Sequence, residues 1–266
     1  MKNSSNKSFG ILFFIVFLII GLWPLYHSNP IRLWSVIVAV IFLILGLSNS
    51  RILSPFNKAW IKFKKYYINR CTIICIFMPD KEFVKKYLED FSSLILPNNE
   101  IIEKIISIKK LLTEVKKNNS KVMIFGNGGS AAIASHVSID LTKNAGVRTS
   151  NYNEADLLTC FSNDYGYERW IEKTIDFYGD SKDVLILISS SGKSENMLNA
   201  CKAAKNKKIS KIITLTGHEK NNPLSKLGDI NLWIDSKAYN FIENTHQLWL
   251  LAITDLIIGK REYLPN

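Results

Sequence analysis

An α/β domain on a mostly parallel sheet, preceded by an all-α transmembrane hairpin, is the fold class that three features of the 266-residue sequence predict. From Asp80 onward, short apolar runs alternate with amphipathic helical patterns. Two of those runs end in Gly- or Ser-rich turns, and two long uncharged apolar stretches come before Asp80.

The N-terminal stretches set the first boundary. No charged residue lies between Lys7 and Arg32, and Phe9–Leu22 is almost wholly apolar; Leu33–Leu47 repeats this between Arg32 and Arg51. A helix crossing ~30 Å of hydrocarbon needs ~20 residues, which predicts spans over about residues 9–28 and 32–50. Trp23, Tyr26 and Trp34 flank the short connection, where interfacial aromatics belong. A cleaved signal peptide fits less well, because a second apolar run follows at once and no small-x-small cleavage site is evident.

Lys2 and Lys7 precede the first run, while Arg51, Lys58, Lys62, Lys64, Lys65 and Arg70 follow the second, against Arg32 alone in the connection. The positive-inside rule then puts both ends in the cytoplasm. The expectation is a multi-pass protein of the inner (cytoplasmic) membrane with the bilayer as partner, residues 1–79 as hairpin and basic linker, and residues 80–266 as a cytoplasmic domain. Trp60–Arg70 mixes aromatics with Lys at helical spacing and reads as an interfacial helix or a solvated linker. Cys71–Met78 is apolar but too short to span.

Net charge is +11, yet nine of the 34 Lys and Arg and none of the 23 acids lie before Asp80, leaving 25 bases against 23 acids beyond it. The C-terminal domain is therefore near neutral, and a nucleic-acid partner is not expected. Cys71, Cys75, Cys160 and Cys201 form no Cys-x-x-Cys pair and no zinc-knuckle spacing, so reduced, mostly buried thiols are expected.

Within 80–266, Glu82–Leu96 and Asn99–Lys117 read as amphipathic helices, the second capped by Asn98 or Asn99. Lys121–Phe125, Val184–Ile188, Lys211–Leu215 and Ile230–Ile234 read as strands, and a last helix runs from about Asn240 to Ile258. Ligands in parallel sheets bind beyond the carboxyl ends of strands, where the turns Gly126–Ser130 and Ser189–Ser194 fall.

Both turns suit an anion. Glycines let backbone approach closely, and a helix N-terminus offers free N–H groups. Gly126–Ala131 also fits a dinucleotide fingerprint, but no acid lies in Arg148–Asn153 to hold a ribose. Ser189–Ser194 has the tail of a P-loop, but Leu187 stands where the first glycine is needed. A hydroxyl-rich turn suited to a phosphate monoester remains.

The stretches GNGGSAAIASHVSIDLT, CFSNDYGYE and ILISSSGKSENML resemble the sugar isomerase (SIS) domain, and within it the phosphoheptose isomerases, over roughly residues 85–260. The resemblance implies a parallel five-stranded sheet flanked by helices on both faces, and a homo-oligomer (dimer or tetramer) with sites at subunit contacts. It implies a phosphorylated sugar as partner and aldose–ketose isomerisation in bacterial carbohydrate or glycan-precursor metabolism. On these motifs Ser189, Ser191 and Ser194 would hold the phosphate with Asn127, Gly128 and Ser130, while Ser190, Asn163 and Asp164 would line the sugar.

Isomerisation needs a base for a carbon-bound proton and an acid for the oxygen. The resemblance places His136 and Asp140 one turn apart on the helix after the glycine loop, with Asp for the family's Glu, and Glu243 on the last helix. It implies Asp140 and Glu243 as catalytic groups, and zinc as the one candidate cofactor, with His136, Asp140 and Glu243 as candidate ligands. The family's fourth position, a His, is Leu251 here, so His246, one turn beyond Glu243, is the candidate replacement acid. The other expectation is a sugar-phosphate-binding sensor or scaffold without catalysis.

Overall fold

The computed structural model describes residues 5–26, 30–48, 50–67 and 79–262, with side chains of 61–67 left aside. The chain divides into two compact units, Met1–Lys86 and Tyr87–Asn266. The expected interfacial segment beyond Tyr67, the apolar run Cys71–Met78, and Cys71 and Cys75 lie outside the described residues.

The first unit holds α1 (Asn6–Tyr26), α2 (Leu33–Leu47) and α3 (Ser54–Tyr67). The first two run antiparallel: a Cβ on Gly10 would collide with Gly46 Cα and Phe42 O, and one on Gly21 would meet Val36. Ser35 is fully buried between them and donates its Oγ hydrogen to Phe17 O at 2.6 Å. Phe13, Phe17 and Phe42 stack across the same seam. Leu12, Ile15, Ile19, Ile37, Ile41 and Ile44 point outward and are exposed.

Among the described residues one helix, over Asn6–Leu25, is long and apolar enough to cross a bilayer. At the expected second span over 32–50, α2 runs for 15 residues to Leu47 and is followed by a bend of 113° into the segment Arg51–Trp60; the two pass as a second candidate span only when taken together as one broken span. At 1.5 Å per residue α2 alone reaches only ~22 Å.

Helix α4 (Asp80–Leu94) crosses the boundary between the units, and in the second unit its Tyr87 and Phe91 rings pack on Phe241. Next come α5 (Asn99–Lys117), β1 (Val122–Gly126), α6 (Gly129–Lys143), β2 (Thr149–Ser150), α7 (Ala155–Tyr165), α8 (Trp170–Tyr178) and β3 (Val184–Ser189). The domain closes with α9 (Glu195–Asn206), β4 (Lys211–Thr216), β5 (Ile230–Trp233) and α10 (Tyr239–Ile258). Asn98 caps α5 as expected, its Oδ1 accepting from Glu100 N at 2.8 Å.

The five strands are all parallel in the order β2-β1-β3-β4-β5. Side chains alternate across them with period two. Val122, Ile124, Ile186, Ile188 and Leu215 join α5, α6 and α10 in one core; Met123, Phe125, Leu185 and Leu187 join α8 and α9 in the other. The sheet is covered on both faces, as an all-parallel sheet must be. Cys201 is buried and burial pushes its thiol up to about 12, whereas Cys160 is exposed.

Candidate functional site

Strand order reverses between β1 and β3, and the crevice at such a switch point is where open parallel sheets bind ligands. Gly126 pairs in register with Ile188, so the turns after the two strands stand side by side. Two side-chain amides bridge them: Asn127 Nδ2 donates to Asn196 Oδ1 at 3.1 Å, and Asn196 Nδ2 donates to Asn127 Oδ1 at 2.9 Å. Tyr167 adds its hydroxyl to Asn127 Oδ1 at 3.0 Å. Asn196 and Tyr167 were not singled out from sequence, although both sit inside the quoted motifs.

The serine turn is held from below. Gly192 has φ +63°, and a Cβ there would collide with the Asn222 side chain, so glycine alone fits both the conformation and the space. Leu224 N donates to Gly192 O, and Gly217 N donates to Ser190 O. Ser189 and Ser190 are buried, and the Ser189 and Ser194 hydroxyls lie 3.3 Å apart. Ser194 is the N-cap of α9 yet its side chain makes no capping bond, which leaves its hydroxyl and the helix's positive end for an anion. Ser191 Oγ accepts from Lys193 N at 3.2 Å. Ser130 is buried in the first turn of α6, whose N-cap Gly128 has φ +57°.

Asn163 and Asp164 fall in the last turn of α7. They are exposed and bond to each other at 3.0 Å; no hydrogen bond among the described residues ties them to either turn.

Beside the glycine turn lies a cleft of about 270 Å3 lined by Gly129, Ala132, Ile133, His136, Glu243, Asn244 and Gln247. A side chain on Gly129 would collide with the Glu243 carboxylate, so its absence lets that carboxylate reach the turn. Glu243 has no hydrogen-bond or ion-pair partner among the described residues. His136 Nε2 is 3.3 Å from Asp140 Oδ2, and Gln247 Nε2 is 3.0 Å from His136 Nδ1. Asn144 Nδ2 donates to Asp140 Oδ1 at 3.1 Å. Gln247 was missed in the sequence; its place one turn beyond Glu243 was the available signal.

His246 does not supply the lost acid. The stripe Ile242, Thr245, His246, Trp249, Leu250 and Ile253 of α10 is buried, while Glu243 and Gln247 flank it on the cleft side. Its Nε2 lies 3.2 Å from Thr216 O, its ring is 0% exposed, and burial pulls its pKa down to about 4. Leu251 packs against the core. Among the described residues no three His, Cys, Asp or Glu side chains converge as metal ligands, and both ring nitrogens of His136 already face side-chain partners. The donor set His136, Asp140 and Glu243 thus does not fit a zinc ion as arranged.

A family model described as the SIS domain matches residues 86–217. The phosphoheptose isomerase of Sulfurimonas denitrificans is 32% identical over 183 residues, covering 66% of this chain and 92% of that protein. Its counterpart in Aliarcobacter butzleri is 33% identical and is covered to 94% of its length. Among solved structures, the phosphoheptose isomerase of Neisseria gonorrhoeae superposes with a TM-score of 0.62 at 27% identity, over 66% of this chain and 98% of that one. That of Francisella tularensis gives 0.62 at 26% identity, over 69% and 100%.

Proposed function

We propose, since the chain belongs to the phosphoheptose isomerase family of SIS-domain proteins, that it is a sugar-phosphate aldose–ketose isomerase. The observation that carries this reading is the phosphate cradle at the β1/β3 switch point with the unpaired Glu243 carboxylate beside it.

In this reading the phosphate rests on Ser189, Ser191, Ser194 and the N-terminus of α9, with Asn127 and Ser130 opposite. Glu243 takes the proton from the carbon beside the carbonyl. The C–H electron pair becomes the carbon–carbon double bond of an enediolate, and the carbonyl oxygen accepts the proton of the neighbouring hydroxyl. Glu243 then returns its proton to the former carbonyl carbon, which completes the isomer without any other acid. Sedoheptulose 7-phosphate is the first substrate to try, from the activity named for the relatives. The test is full-length protein with that ketose: conversion supports the reading, and its absence sinks it.

Binding without conversion is the second reading, favoured by Leu251 and by donors that do not converge. A melting temperature raised by the sugar phosphate with no product formed would mark it.

The first unit serves as a membrane anchor, and the second faces the cytoplasm. Small residues between α1 and α2 with large aliphatics outside are the arrangement helices take in lipid. The exposed Ile139 and Leu248 on α6 and α10 support a homo-oligomer.

A further inference from the structure

We infer that Gln247 is the group that polarises the substrate carbonyl, held in place by a chain of side chains running back to Asn144. The inference rests on the isomerase reading above. An amide nitrogen can only donate. With Gln247 Nε2 at 3.0 Å, His136 Nδ1 is therefore an unprotonated acceptor. The ring proton then sits on Nε2, 3.3 Å from Asp140 Oδ2, and the other oxygen of Asp140 accepts from Asn144 at 3.1 Å.

Orientation of Gln247 is the consequence. One of its two N–H bonds is spent on His136; the other has no partner among the described residues, and the amide lines the same cleft as Glu243, one helical turn away. A base and a fixed dipole thus share one small cavity beside the phosphate cradle. The residues that resemblance assigned to zinc do not converge on an ion, and His136 and Asp140 are instead occupied in aiming this amide. Charge that develops on the carbonyl oxygen would meet a donor already in place, which is where such donors act most strongly.

The test compares full-length wild type with Gln247→Leu, each labelled with nitrogen-15 at histidine, and checks melting temperature to confirm folding. In the wild type, the His136 ring shows a bare Nδ1 and a protonated Nε2 at neutral pH; Gln247→Leu releases this pinned tautomer. The variant loses ~100-fold in kcat with KM little changed. Its affinity for a phosphosugar hydroxamate, which mimics the enediolate, drops by a similar factor. A doubly protonated His136 in the wild type, unchanged ring shifts in the variant, or undiminished kcat overturns the inference while leaving the isomerase reading in place. A folded wild type that turns over no sugar phosphate removes both.

Discussion

Asn127 and Asn196 exchange two hydrogen bonds, at 3.1 and 2.9 Å, across the point where the strand order reverses. Each amide leaves the other satisfied in a partly buried place, so removing either strands its partner. At about 1 kcal/mol for each bond, Asn196→Ala costs roughly 2 kcal/mol of stability. Asn127→Ala costs about the same, and the double variant little more than either single one. Chemical denaturation of the four proteins checks this; strictly additive losses would contradict a reciprocal pair.

His246 predicts an acid limb in stability. Burial lowers its pKa from 6.5 to about 4, so the folded state holds it neutral while the unfolded chain takes up a proton between those values. The stabilisation is complete above pH 6.5 and is lost as pH falls towards about 4, by roughly 3 kcal/mol. Denaturation midpoints across that window should fall less steeply in His246→Leu than in wild type. Equal slopes would show that other groups carry the acid limb.

The contact between Gly10 and Gly46 predicts that Gly10→Leu opens the α1–α2 pair without touching the chemistry, since the new side chain collides with Gly46 and Phe42. Overpacking of this kind costs about 1–3 kcal/mol. In detergent, trypsin should cut faster at Arg51, which follows α2, while turnover per folded domain stays the same. Unchanged cleavage would mean the close packing is not what holds this unit together.

Strands β1, β3, β4 and β5 were legible because continuous apolar runs of strand length ended in turn residues, the pattern of strands buried on both faces. β2 was not, since a pair of residues, Thr149 and Ser150, carries no periodicity. The phosphate turns were legible from composition, but the Asn127–Asn196 bridge between them and the packing of Asn222 against Gly192 were not, because both depend on contacts distant in sequence. The site on α10 shows the sharpest failure. Glu243, His246 and Gln247 all lie within one turn, and a spacing of three rather than four carries His246 into the buried stripe while Gln247 stays on the cleft. The N-terminal helices were legible, since the apolar runs Phe9–Leu22 and Leu33–Leu47 fall on α1 and α2; the bend of 113° after Leu47 was not, because hydropathy carries no signal of direction.

In the proposed isomerisation, Glu243 moves a carbon-bound proton of a sugar phosphate held at the switch point. Turnover of sedoheptulose 7-phosphate in heavy water, followed by proton NMR, tests it most directly. Wild-type full-length protein should form the aldose with deuterium at the carbon that received the proton. Glu243→Gln should lose conversion and exchange by at least ~100-fold while the sugar phosphate still raises its melting temperature. A Glu243→Gln protein that exchanges at the wild-type rate, or a wild type that binds the sugar phosphate without conversion or exchange, would contradict the account.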